Sequence, residues 1–179
     1  MTSGLAEAEQ ELRRFPSSVV DEFNKAAEKL RPEISESDLV SWAQQGVEIA
    51  RQTVRSWEAA SEFFFTSPDV LKHLSAVQLK DWGHCGNALC RESPSLAVAF
   101  FRASPKSLAH LRPRFIQGWA NLGKNLYRGT WKSSALAAKF FDSSASLLEN
   151  LGYNEVERFA ELVDLLSHKS SDLAAECLV

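Results

Sequence analysis

No part of this chain stays apolar for long. The longest uninterrupted run, Leu96–Phe101, is six residues, against the roughly 20 that a membrane-spanning helix requires. The segment Met1–Phe15 is polar and helix-prone, without the apolar core of a secretory signal, so export through a cleaved leader is not expected. Cysteine is scarce and odd in number, at Cys85, Cys90 and Cys177. No disulfide framework follows from that spacing, and reduced thiols in a cytoplasmic setting are expected. Charge of one sign is also missing: 20 basic and 23 acidic residues leave a net −3. Nucleic acid is therefore not an expected partner, because it needs a concentrated basic face. The remaining composition, 45% hydrophobic and 24% charged over 179 residues, is that of one globular domain with a substantial core.

What the chain does have is a repeat. Trp42, Trp82 and Trp119 stand 40 and 37 residues apart, and each is followed four residues later by Gly46, Gly86 or Gly123. Each unit then carries a Phe pair: Phe63–Phe64, Phe100–Phe101 and Phe140–Phe141. Ser67–Pro68 and Ser104–Pro105 follow the first two pairs, and Ser144–Ala145 follows the third. Two leucines three apart close each unit: Leu71 and Leu74, Leu108 and Leu111, Leu148 and Leu151. A period of this size with helical spacing inside it predicts a stacked helical array.

Three helical pieces are expected in each unit. The first covers Leu39–Val54, Leu79–Cys90 and Ile116–Tyr127, with the repeated residues on one face of a 3.6-residue helix. A glycine on that buried face costs about 1 kcal/mol of helix propensity, and close approach of a neighbouring helix would explain it. The second piece covers Trp57–Phe65, Ser95–Ala103 and Ser133–Ser143. A third, short helix would start at Ser-Pro, with Ser as N-cap and Pro at the first helical position. The middle unit is three residues shorter, and the deletion falls at Glu92–Ser93–Pro94, between two pieces. Upstream, Ser17–Leu30 reads as an amphipathic helix ended by Pro32. Downstream, Glu155–Leu166 resembles the start of a fourth unit, with Phe159 in the Trp place and Val163 in the Gly place. Ser171–Val179 resembles the approach to a Phe pair, with Cys177 and Leu178 there. That unfinished unit fits equally a truncated last repeat and a sequence drawn from a longer parent.

Chemical signatures are few. Asp142, Ser144 and Ser146 match the D-x-S-x-S string of a metal-ion-dependent adhesion site, but they follow a helical run where that motif needs a strand. His84, Cys85 and Cys90 lack a second ligand pair at zinc spacing. His73 and His110 hold equivalent places before Leu74 and Leu111, and His168 has no visible companion. There is no G-x-S-x-G elbow, no Gly-rich phosphate loop and no H-E-x-x-H. Arg102, Lys106, Arg112, Arg114, Lys124, Arg128 and Lys132 make 102–132 locally basic, against a Glu-rich N-terminal third. Such a dipole would steer a charged partner; a solvated face is the plainer reading.

The pattern W-x-x-x-G, then FF, then S-P-x-x-L-x-x-L resembles helical repeats of bacterial NorD-type or CoxE-like proteins, over residues 39–179. Those proteins carry a C-terminal von Willebrand factor A domain and work with MoxR-type ATPases. The resemblance implies an adaptor role in an assembly or chaperone-like system. No A domain is present here, so its metal-linked and ATPase-linked functions have no residues onto which to carry over.

The expected fold is all-α: an α-α superhelix, a short solenoid of 37–40-residue repeats in the manner of armadillo, HEAT or TPR arrays. One domain spans 1–179, with capping helices in 1–37, full repeats at 38–75, 76–112 and 113–152, and a partial repeat at 153–179. The expected function is a non-enzymatic scaffold or adaptor for another protein, such as an ATPase or an A-domain protein. The alternative is a small-molecule or peptide sensor with an inter-helix pocket near His73, His110 and Cys85. No catalytic residue, cofactor, metal, nucleic acid or membrane contact is expected.

Overall fold

The structure is a computed structural model that describes residues 3–129 and 134–178. Lys132, Ser133 and Val179, named above, lie outside the described residues. Ten α-helices and no strand occur among the described residues: α1 (Ser3–Leu12), α2 (Ser17–Leu30), α3 (Glu36–Ala50), α4 (Ser56–Val70), α5 (Ala76–Glu92), α6 (Pro94–Ser107), α7 (Ile116–Gly129), α8 (Ser134–Leu151), α9 (Tyr153–Ser167) and α10 (Ser171–Glu176). They pack as five successive hairpins in two rows. The odd-numbered helices form one row, each against the next, and the even-numbered helices form the other. This is an all-α helical-repeat fold. The hairpin α1–α2 precedes the three signature units, and α9–α10 follows them.

Each unit holds two helices, not three. The Ser-Pro step does not start a new helix: α4 runs through Pro68 and α6 through Pro105. Proline lacks the N–H that would bond the carbonyl four residues back, and its ring crowds that carbonyl. Here it sits in the last turn, so only one turn is affected. The helices then stop two residues later, at Val70 and Ser107, whereas α8, with Ala145 in that place, continues to Leu151. The proline ends a helix rather than beginning one.

The serine before it has a different task from capping. Ser67, Ser104 and Ser144 are fully buried. Each hydroxyl donates to the carbonyl four residues back, on Phe63 at 2.6 Å, Phe100 at 2.7 Å and Phe140 at 2.6 Å. Each also accepts the indole N–H of its own unit's tryptophan: Trp42 at 2.9 Å, Trp82 at 2.8 Å and Trp119 at 2.9 Å. One hydroxyl thus ties the first helix of a hairpin to the second and satisfies the sole polar atom of a buried indole.

Around these links the rings form a continuous spine. Phe23 stacks on Trp42 at 5.7 Å, Phe63 on Trp82 at 5.3 Å, and Phe100 meets Trp119 at 4.9 Å. Phe63 and Phe100, the first rings of their pairs, and Phe23 of α2 therefore face the next unit. The second Phe turns inward to its own unit's glycine. A Cβ on Gly46, Gly86 or Gly123 would lie 2.0, 1.9 or 2.1 Å from the ring tip of Phe64, Phe101 or Phe141. The close approach expected at these glycines is real, but its agent is a phenyl ring and not a helix backbone.

The short connection of the middle unit also falls where expected, since Ser93 alone separates α5 from α6. Gly152, at φ 75°, makes the turn between α8 and α9 in a conformation that favours glycine. Among the closing leucines, Leu74, Leu108, Leu111 and Leu148 are buried, Leu71 is half-buried, and Leu151 is exposed.

Candidate binding surface

The repeated side chains are consumed by packing. What varies from unit to unit lies between successive first helices, where three clefts open. The cleft between α5 and α7 has a volume of about 460 Å³, and Asp81, His84, Cys85, Arg114, Gln117 and Asn121 contribute polar groups to it. The cleft between α1 and α3, about 690 Å³, includes Glu7, Gln44, Glu48 and Arg51. A smaller one between α3 and α5, about 220 Å³, includes Asp38, Ser41 and Gln45. Apolar residues of the same helices complete the linings, Leu89, Ile116 and Ala120 in the first cleft and Gly4 and Val47 in the second.

Polar ties across these clefts fix the spacing of the units. Gln52 Nε2 donates to Asn87 Oδ1 at 2.8 Å, and Gln45 Nε2 donates to the Lys80 carbonyl at 3.2 Å. Arg51 pairs with Glu11, Arg102 with Glu62 at 3.1 Å, and both Arg128 and Lys124 with Glu92. Each joins one unit to the next, the Arg102–Glu62 pair doing so between α6 and α4 in the other row. The hydrogen bond and charge of Arg128, with help from Lys124, hold the Glu92 carboxyl below the usual range. Three cations of the locally basic stretch are thereby spoken for, and Arg114 lies 4.7 Å above the Phe115 ring. Part of the stretch is thus one side of a series of ion pairs between units.

The two thiols of α5 are not poised for chemistry. Burial, with a lesser contribution from Asp81, pushes the Cys85 thiol up to about 11. Burial likewise raises Cys90, partly opposed by a hydrogen bond from Ser56. A thiol raised in this way is protonated at neutral pH and is a poor nucleophile and metal ligand. Among the described residues, no group of three or more His, Cys, Asp and Glu side chains is placed to hold a metal ion. The D-x-S-x-S string winds around α8: Asp142 is exposed, while Ser144 is locked into the Trp119 link.

Cys85 and His84 do line the α5–α7 cleft, but His73 and His110 do not. They are exposed on the turns that follow α4 and α6. The structure therefore separates the histidines from the cysteine with which the sequence grouped them. Sequence reasoning also missed Arg114, Gln117 and Asn121 as neighbours of Cys85. Their signal was available in principle: in a stacked array, residues about 36 apart on first helices face one another.

No family model, no curated protein and no solved structure matches this chain. No helix among the described residues is long and apolar enough to cross a membrane.

Proposed function

We propose that this chain is a non-enzymatic helical-repeat scaffold that binds another protein along the row of first helices, with the α5–α7 cleft as its main seat. One observation supports the reading above others. The invariant side chains of the repeat are spent on the core, and the variable polar ones line clefts between units. Solenoids that recognise partners use their successive units in this way. The mixed lining of Asp81, Arg114, Gln117 and Asn121 suits a peptide segment with both donors and acceptors. A link to a MoxR ATPase or von Willebrand A system, and a cytoplasmic setting, rest on the sequence resemblance and the reduced cysteines.

A photo-crosslinking amino acid at Gln117 tests this in lysate of the source cells. The scaffold reading expects a discrete crosslinked protein that disappears when Asn121→Arg and Ala88→Arg fill the cleft, with the melting temperature unchanged. Equal capture by the filled variant, or no capture, sinks it. The alternative, a small-molecule sensor, draws support from the size of the cleft, which falls in the range of ligand pockets. It expects a metabolite that raises the melting temperature of the wild type and not of the filled variant.

A further inference from the structure

Charge along this chain comes in blocks. Residues 75–152 hold ten basic and four acidic residues, whereas residues 1–74 hold eight against thirteen and residues 153–179 two against six. The row of first helices carries the same pattern. Helices α1 and α3 have three acidic residues each and no basic one, and α9 has four against Arg158. Helix α7 has Lys124 and Arg128 and no acidic residue. The positive block therefore lies at the α5–α7 cleft, with acidic α3 beyond α5 and acidic α9 beyond α7.

The cations there outnumber the carboxylates that could neutralise them. Lys80, Arg91, Arg112, Arg114, Lys124 and Arg128 lie on α5, on α7 or in the turn that leads into α7, against Asp81 and Glu92. Lys124 and Arg128 share the single carboxylate of Glu92, which leaves one positive charge over at that end of the cleft. At the other end Arg114 is exposed, its guanidinium held over the Phe115 ring, with no ion pair among the described residues. Arg114 and Lys124 both line the cleft, and Asp81 is the one carboxylate in that lining. The two cations stand ten residues apart in the chain, about 15 Å along a helix. Ile116 and Ala120 lie between them on α7, and Leu89 joins them from α5.

We propose that the partner segment seated in this cleft is an extended acidic peptide, with carboxylates four residues apart and an apolar side chain midway between them. The inference rests on the reading of the cleft as the seat of a protein partner and adds what that partner carries. Side chains at i, i+2 and i+4 of an extended segment point the same way, and four residues span about 13 Å. The outer two then reach Arg114 and Lys124, and the middle one rests on Ile116 and Ala120. Gln117 and Asn121, exposed in the same lining, offer donors and acceptors to the peptide backbone. Packed helices lie about 8–10 Å apart, close to the Debye length of about 10 Å at 0.1 M salt. The acidic faces of α3 and α9 are thus screened from an anion inside the cleft, but they repel one broad enough to spread over them. A nucleic acid or an anionic membrane has that breadth. A single peptide segment does not.

A phage library of random dodecapeptides, panned on the full chain at low salt, is the probe. The expected selection carries Asp or Glu at positions four apart, with an apolar residue midway. A synthetic peptide of the selected sequence should bind about fivefold more weakly to Arg114→Glu, and likewise to Lys124→Glu. Lys106→Glu, at an exposed place on α6, changes the net charge equally and should leave binding as it was. Replacing the two acids of the peptide by lysine should restore binding to the double variant Arg114→Glu with Lys124→Glu, and a melting curve taken beside each titration reports that the variant is folded. Selected peptides without the acidic pair, an equal loss with Lys106→Glu, a lysine peptide that restores nothing, or tighter binding of a twelve-nucleotide oligothymidylate than of the peptide overturns the inference. The lysate crosslink at Gln117 keeps the two readings apart. A discrete crosslinked protein alongside any of those results leaves the scaffold standing without its acidic partner, and no crosslinked protein removes both.

Discussion

A buried indole N–H surrounded by phenyl rings needs one acceptor, and in this protein a serine hydroxyl on the partner helix supplies it three times over. Truncating Trp82, which is fully buried between Phe63 and Phe101, should cost about 3–5 kcal/mol in a urea melt. Removing only the acceptor, by Ser104→Ala, should cost about 1–3 kcal/mol, because the N–H is then left unpaired in a dry site. Made in a Trp82→Phe background, the same Ser104→Ala change should cost much less, and the difference between the two melts measures the link. Gly86→Ala pits two effects against each other. Helix propensity would gain about 1 kcal/mol. The new Cβ, however, would sit 1.9 Å from the tip of the Phe101 ring. That ring is itself wedged against Phe63, Trp82 and Phe100 and has no room to retreat. Overpacking of this kind costs about 1–3 kcal/mol, so a net loss of stability is expected, and a gain would show that the core yields there.

At the scale of the helix, the ion pairs between units make a pH-dependent contribution. The folded-state pKa of Glu92 is depressed by Arg128 and Lys124, so its stabilisation is present above the ordinary carboxylate range and is lost as pH falls through the depressed value. Glu92→Gln should therefore destabilise the protein by up to about 1 kcal/mol at neutral pH. The two proteins should converge in acid, where the wild-type Glu92 is protonated and as neutral as the glutamine of the variant; melts across the pH range decide it. The elements themselves show what the sequence could and could not reveal. Helix α2 spans Ser17–Leu30 as its periodicity indicates, and α9 and α10 fall where the fourth unit was read. Ser-Pro was misread because its local chemistry serves both a helix start and a helix end. Only the position of Trp42 or Trp82, more than twenty residues earlier and across the hairpin, decides between them. The partner of an indole is a tertiary fact. The paired constancy of Trp and Ser was nonetheless visible in all three units and was the clue to it. The polar lining of the α5–α7 cleft was illegible for a related reason: Cys85 and Gln117 are brought together by stacking, and nothing local to either residue marks it.

For the molecule as a whole, the described ion pairs and ring stacks between units join nearest neighbours only. Stability in such an array is a sum over units and their junctions. The centre, where α4, α5 and α6 are covered on both sides, should then open last. Native-state hydrogen exchange should show the slowest amides in these helices and the fastest in α1 and α10. Uniform protection along the chain would mean that the array opens as one block. The same series arrangement governs how the protein bears load. Were its two ends drawn apart, tension would pass through every junction in turn. The hairpin α9–α10, which lacks the Trp–Ser latch and is joined to its neighbour by the single stack of Tyr153 on Phe115, would peel away before the aromatic middle gave way, making the molecule a strap with a built-in weak link.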